Sequence, residues 1–200
     1  FHNALPEFVA HICGKSVKVA LNVFGEHQIS NALAALAVAD HYNLDLESAS
    51  RHLASFRGFA HRQELLKLKN LTVIDDTYNA SPDSMKASLS ILRDFDAKRK
   101  VAVLADMKEL GVDEIKLHKE IGEFIVKNLK LDAVFSVGDL AKEITGCLNT
   151  FNKSFDNNEE LESYLLEYLQ EGDVCLLKGS NSMRLFDVVD KIKNYEKFIR

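Results

Sequence analysis

The sequence predicts an α/β protein whose larger part is a doubly wound, mainly parallel sheet. From Leu71 onward, short apolar or β-branched runs take turns with stretches of helical periodicity, the order that gives a parallel sheet with helices on both faces. Two of these runs, Val101-Ala102-Val103-Leu104 and Val174-Cys175-Leu176-Leu177, are continuously apolar, as strands covered on both faces are. The segment Ile74 to Met85 opens from a strand into two adjacent carboxylates, a polar turn and a helix start, which is where open α/β sheets place ligand chemistry.

The elements follow in order. Val17-Lys18-Val19-Ala20-Leu21-Asn22-Val23 alternates and reads as a strand at a sheet edge, with Cys13-Gly14-Lys15 a turn before it. Ile29 to His41 is rich in alanine and leucine, and Asp45 to Ser55 repeats Leu46, Ala49 and Leu53 at helical spacing, giving two short helices. Phe56 to Arg62 has no sustained period and one glycine, which makes it the linker and puts a domain boundary near Ala60, dividing residues 1–60 from 61–200. Beyond it come strand 71–75, helix Pro82 to Phe95, strand Val101 to Ala105, helix Ile115 to Leu129 and strand Ala133 to Val137. A short helix from Leu140, a weak strand Phe151 to Phe155, helix Glu159 to Gln170, strand Val174 to Leu177 and a last helix Met183 to Tyr195 complete the series. Ser81 is a good N-cap, Pro82 suits the first helical position, and Met85, Leu89 and Leu92 recur so as to pack on the sheet.

With 200 residues, 46% hydrophobic and 28% charged, the chain has room for a sizeable core and for one domain plus part of another. A formal charge of -5 with no basic stripe argues against nucleic-acid binding. Three cysteines far apart, without C-x-x-C, indicate neither a disulfide framework nor a zinc site, so a reducing cytoplasm is expected. No stretch is apolar enough to span a bilayer, and Phe1-His2-Asn3 shows no basic region leading into an apolar one. The chain does not begin with methionine, so a piece of a longer protein is expected. Gly14-Lys15-Ser16 is not the end of a phosphate-binding loop, because position 9 is Val9 and a strand follows; no G-x-G-x-x-G occurs among the nine glycines.

His27 and Asn31 are four apart at a helix start and share a face that can meet a ligand, or else act as a cap and a buried amide. Arg62, just past the domain boundary, is placed to reach a phosphate with bidentate geometry, unless it is a surface arginine at a hinge. Asp106, Lys178 and Ser180 sit at strand ends bordering one crevice, with Ser180-Asn181-Ser182 preceding a helix whose free amides favour an anion. His118 shares its helix with Ile121 and Ile125 and reads as a packing or surface histidine.

The string Asp75-Asp76-Thr77-Tyr78-Asn79-Ala80-Ser81-Pro82-Asp83-Ser84-Met85 resembles the D-D-S/T-Y-N-A-N-P-D-S-M motif of the Mur ligases, in the MurF-type branch that adds D-alanyl-D-alanine. Gly25 to Ala35, His61-Arg62, Leu104 to Gly111, Val137-Gly138 and Leu177 to Ser180 resemble further family segments in the same order. The resemblance implies a Rossmann-like C-terminal domain preceded by the tail of a central ATPase domain. The family uses ATP and Mg2+ to activate the carboxylate of UDP-N-acetylmuramoyl-tripeptide as an acyl phosphate, which the amine of D-alanyl-D-alanine attacks. It implies ATP contacts for His27, Gln28, Asn31, Arg62 and Asp76, with Asp76 at the ribose and Asp75 structural. Gln28 stands where the family has asparagine, which alters the nucleotide contact, and Ser81 likewise replaces an asparagine. Tyr78, Asn79, Ser81, Asp106, Lys178 and Ser180 are implied to face the dipeptide or hold acceptor or nucleotide. No catalytic residue and no metal ligand is assigned within this stretch; the magnesium ligands are expected upstream, so the chain alone is expected to be inactive, and to be monomeric. The alternatives are another Mur-type amino-acid or folate ligase, or a non-catalytic binding module.

Overall fold

The computed structural model describes residues 5–195, so Phe1-His2-Asn3 lies outside the described residues. The chain forms two compact units, Phe1–Phe59 and Ala60–Arg200.

In the first unit, strands β1 (Glu7–Ile12) and β2 (Lys15–Ala20) form an antiparallel hairpin in which Ile12 is opposite Lys15. The two residues between them, Cys13 and Gly14, both have positive φ (46° and 80°), the backbone a two-residue hairpin turn demands. Lys15, in the rejected phosphate-loop motif, instead pairs with Asp40 at 2.7 Å. Helices α1 (His27–His41) and α2 (Leu46–Ser55) pack their small and apolar residues against the hairpin, around Val17, Val19, Ala32 and Leu36. The side chain of Asp45 caps α2 by accepting from Ser48 N–H. Strand β1 is not among the expected elements; its single buried side chain, Ala10, leaves no apolar stripe.

The second unit is a six-stranded sheet in the order β3-β4-β8-β5-β6-β7, namely β3 (Glu64–Lys67), β4 (Thr72–Asp76), β5 (Arg99–Ala105), β6 (Ala133–Val137), β7 (Asn152–Phe155) and β8 (Asp173–Lys178). All neighbouring pairs are parallel except β3 with β4. On one face lie α6 (Asn158–Tyr168) and α7 (Leu185–Asn194), burying Leu161, Leu165, Val188 and Ile192; on the other lie α3 (Pro82–Asp94), α4 (Glu114–Asn128) and α5 (Lys142–Thr145), burying Met85, Leu89, Ile121 and Ile144. This is the expected doubly wound, mainly parallel, Rossmann-like sheet.

Two departures have clear causes. Strand β3 was not expected because Leu65 and Leu66 are adjacent rather than alternating; they pack against opposite faces, Leu65 with α3 and Leu66 with α7's side of the sheet. The last helix starts at Leu185 rather than Met183, because Arg184 adopts a left-handed conformation (φ 52°) after the single 3-10 turn Asn181–Met183. The Asn158 amide holds that break by donating to the Met183 carbonyl at 2.8 Å. Ser182 is therefore inside a tight turn and does not cap α7. His118 is fully buried, accepts from Met107 N–H through Nε2 (2.9 Å) and donates from Nδ1 to the Glu114 carbonyl (2.7 Å), so it is a packing histidine.

Candidate functional site

The carboxyl ends of β4, β8 and β5 lie side by side, and the turns that leave them converge. After β4 the chain runs through Thr77 to Asn79 into α3, whose N-cap is Ser81: its hydroxyl accepts from Ser84 N–H while the Ser84 hydroxyl accepts from Ser81 N–H, with Pro82 in the first turn. Tyr78, Asn79 and Ser81 are all exposed.

The two aspartates point to different partners. Asp75 is fully buried; its Oδ1 accepts from Thr77 N–H (3.2 Å) and the Thr77 hydroxyl (2.7 Å), and its Oδ2 meets His61 Nδ1 at 2.8 Å. Asp76 is 6% exposed and sits at the centre of the site. Its Oδ2 accepts from the Ser88 hydroxyl and from Lys178 Nζ, each at 2.5 Å, and its Oδ1 accepts from Gln63 N–H at 3.1 Å. Lys178 also donates to the Asn79 carbonyl at 3.0 Å, so one buried ammonium ties β8 to the turn after β4. Burial pushes the Lys178 pKa down, against the pull of Asp76, and the nearby Arg62 guanidinium pushes it the same way as burial.

Asp106, at the end of β5, is also turned inward. Its Oδ1 accepts from Leu140 and Ala141 N–H (2.9 and 2.7 Å) and its Oδ2 pairs with Lys108 Nζ at 2.8 Å. Gly138 is required beside it: a Cβ there would lie 2.5 Å from Asp106 Oδ1. Ser180 donates its backbone N–H to the Asp106 carbonyl (3.1 Å) and accepts from Lys108 N–H through Oγ (2.8 Å), joining the β8 and β5 turns. Gly179 makes this approach possible, since a Cβ would lie 2.5 Å from the Ala105 Cβ.

Two cations face outward: Arg62, whose guanidinium lies 3.9 Å from the Tyr78 ring centroid, and Lys108, whose side chain is 43% exposed. The structure thus brings together Arg62, Asp76, Tyr78, Asn79 and Lys178, with Asp106 and Ser180 on the adjoining β5 and β8 turns. His27, Gln28 and Asn31 belong to the first unit, on the first turns of α1, where the Asn31 amide donates to Gln28 Oε1 at 3.0 Å. Sequence reading missed Ser88, Gln63 and Lys108. Ser88 carried a usable signal, a hydroxyl on the apolar stripe of α3 between Met85 and Leu92; Gln63, which acts through its backbone, carried none.

A doubly wound sheet with polar and charged side chains gathered at the carboxyl ends of its strands defines a ligand-binding α/β domain. The family profile described as Mur ligase, glutamate ligase domain, matches residues 61–181, and the chain belongs to that family. It is 35% identical over 174 residues to the UDP-N-acetylmuramoyl-tripeptide–D-alanyl-D-alanine ligase of Bacillus subtilis (strain 168), covering 84% of this chain and 38% of that protein. It is 34% identical over 185 residues to the ligase of the same name from Haemophilus influenzae, covering 89% of this chain and 40% of the relative. Among solved structures it resembles MurF from Acinetobacter baumannii (TM-score 0.86, 28% identity, 94% of this chain and 42% of that one). It also resembles the MurF ligase from Thermotoga maritima in complex with ADP (TM-score 0.77, 27% identity, 92% and 42%). The chain therefore spans about two fifths of the length of these relatives.

Proposed function

We propose that this chain is the C-terminal portion of an ATP-dependent ligase that adds D-alanyl-D-alanine to UDP-N-acetylmuramoyl-tripeptide. Residues 1–60 would be the tail of its central ATP-binding domain and 61–200 its C-terminal domain. The observation that carries this reading is the turn after β4, where the family motif is built around a buried Asp76–Lys178 pair and presents Tyr78, Asn79 and Ser81 outward beside Arg62.

In this reading Arg62 meets the ATP phosphates, for which a planar guanidinium stacked on Tyr78 is already oriented. Ser88 and Lys178 both occupy Asp76 Oδ2, so Oδ1, with one amide already bound, is the oxygen left for a ribose hydroxyl. The adenine contacts are assigned to His27, Gln28 and Asn31 by the family resemblance alone. Asn79 accepts from Ala80 N–H through Oδ1, which leaves its Nδ2 to donate to the dipeptide carboxylate together with Tyr78 and Ser81. Lys178, Asp106 and Ser180 act from below by fixing the turns. The reaction class is formation of an acyl phosphate and its capture by the dipeptide amine, with phosphate leaving; fixed cations and exclusion of water favour both steps. The carboxylates at this end, Asp75, Asp76 and Asp106, are each taken up by protein donors, so they do not fit a magnesium site and no step here runs through that ion. A ligase of cytosolic nucleotide-linked precursors would work in the cytoplasm.

The test is phosphate release from ATP by the longer protein that contains this chain, with UDP-N-acetylmuramoyl-tripeptide present and D-alanyl-D-alanine added or withheld. Release that depends on the dipeptide supports the reading, and release stimulated instead by another amine moves the chain to another Mur-type branch. The chain alone is expected to show no magnesium-dependent ATP turnover.

A further inference from the structure

The residue before Arg62 is held through its backbone N–H, its carbonyl and its ring. His61 takes a left-handed backbone conformation (φ 61°), one that few residues with a side chain occupy. Its N–H donates to Glu64 Oε2 at 3.2 Å, its carbonyl accepts from Tyr78 N–H at 2.9 Å, and its Nδ1 meets Asp75 Oδ2 at 2.8 Å. Its ring rests against Phe186 with centroids 5.7 Å apart. On the far side of Arg62, Gln63 is again left-handed (φ 53°), and its N–H donates to Asp76 Oδ1 at 3.1 Å. The adjacent aspartates of β4 therefore grip the two residues that flank Arg62. The Tyr78 whose amide holds His61 also offers its ring to the Arg62 guanidinium at 3.9 Å. His61, Glu64 and Asp75 each place a ring nitrogen or a carboxylate oxygen within 4.8 Å of one another; the two His61 hydrogen bonds and the cross-strand pairing of Glu64 with Asp75 bring them together.

We propose that His61 is a positioning residue: clipped by Asp75, Glu64 and Tyr78, it fixes the backbone on which Arg62 presents its guanidinium to phosphate. The proposal rests on the phosphate role given to Arg62 above. Without the clip, Arg62 sits on a short segment whose left-handed residues relax toward commoner conformations, and its guanidinium leaves the Tyr78 ring. Asparagine at 61 would preserve the clip, because it tolerates the left-handed region and can still donate to Asp75.

Two measurements test this. In the first, the Arg62 Nε–H resonance of this chain is followed by NMR. Stacking on Tyr78 is expected to shift it upfield in the parent, and that shift is expected to disappear in His61→Ala and to persist in His61→Asn; an unchanged resonance in His61→Ala overturns the clip. In the second, KM for ATP and kcat of the longer protein are compared for His61→Ala, Arg62→Ala and the double variant. His61→Ala is expected to raise KM for ATP about tenfold, with His61→Asn restoring most of it. In the Arg62→Ala background the same change should add less than about twofold, because the residue it positions is gone. Full additivity would show that His61 does not act through Arg62 and would overturn the proposal. If Arg62→Ala alone leaves KM for ATP unchanged while the NMR shift behaves as expected, the clip stands and the phosphate reading of Arg62 is what fails.

Discussion

Replacing Lys178 by methionine keeps the length and most of the volume of the side chain and deletes its charge. In the parent, Lys178 is 1% exposed and Asp76 6% exposed, so the variant leaves a carboxylate inside the sheet with only the Ser88 hydroxyl and the Gln63 amide among the donors described. Removing one partner of such a pair costs about 3–5 kcal/mol. For a unit spanning residues 60–200, each kcal/mol moves Tm by about 3 °C, so a fall of roughly 10–15 °C is expected. Urea unfolding of the chain followed by far-UV circular dichroism reads the loss directly. Lys178→Met with Asp76→Asn removes both charges and should recover at least half of it. The pH dependence gives a second check. Because burial holds the folded pKa of Lys178 below its unfolded value of 10.5, the folded state binds fewer protons between those two values. The cost of burying this ammonium is present in full below that window and is relieved as pH rises through it, so Lys178 contributes stability that increases with pH there, a rise that Lys178→Met lacks. A loss in Lys178→Met of no more than about 1 kcal/mol, the worth of an exposed pair, would refute the view that this pair organises the site.

Gly138→Ala should destabilise the second unit by about 2–4 kcal/mol, since the new Cβ meets Asp106 Oδ1 at 2.5 Å on a backbone with φ of 109°; denaturant titration checks it, and Asp106→Ala in the same chain should lessen the effect. Asp173 is 1% exposed, and burial raises its pKa above 3.8, so between 3.8 and the raised value the folded state holds the extra proton and stability falls as pH rises. The stability of Asp173→Asn relative to the parent should therefore become less favourable as the pH is lowered from 7 toward 4; a flat difference in melting temperature across that range would contradict the burial cost.

Much of the site was legible because its signals are local. Ser81 and Pro82 specify a helix start whatever lies around them, and the continuous apolar runs of β5 and β8 announce strands covered on both faces. The inward turn of Lys178 was not legible, because a lysine at a strand end looks the same in sequence whether it reaches solvent or a carboxylate 102 positions away. Asp106 is a similar case: its partners, the amides of Leu140 and Ala141, carry no side-chain signature.

The sequence by itself determined the alternation of elements, the capped turn after β4 and the family to which the motif belongs, since these depend on short-range periodicity, capping and residue identity. Only the tertiary structure decided that β8 lies between β4 and β5, which is what sets Lys178 beside Asp76 and lets Asp75 and Asp76 hold the residues on either side of Arg62. Strand order is fixed by packing the whole sheet between two layers of helices, a property of the assembled core that no single stretch of chain contains.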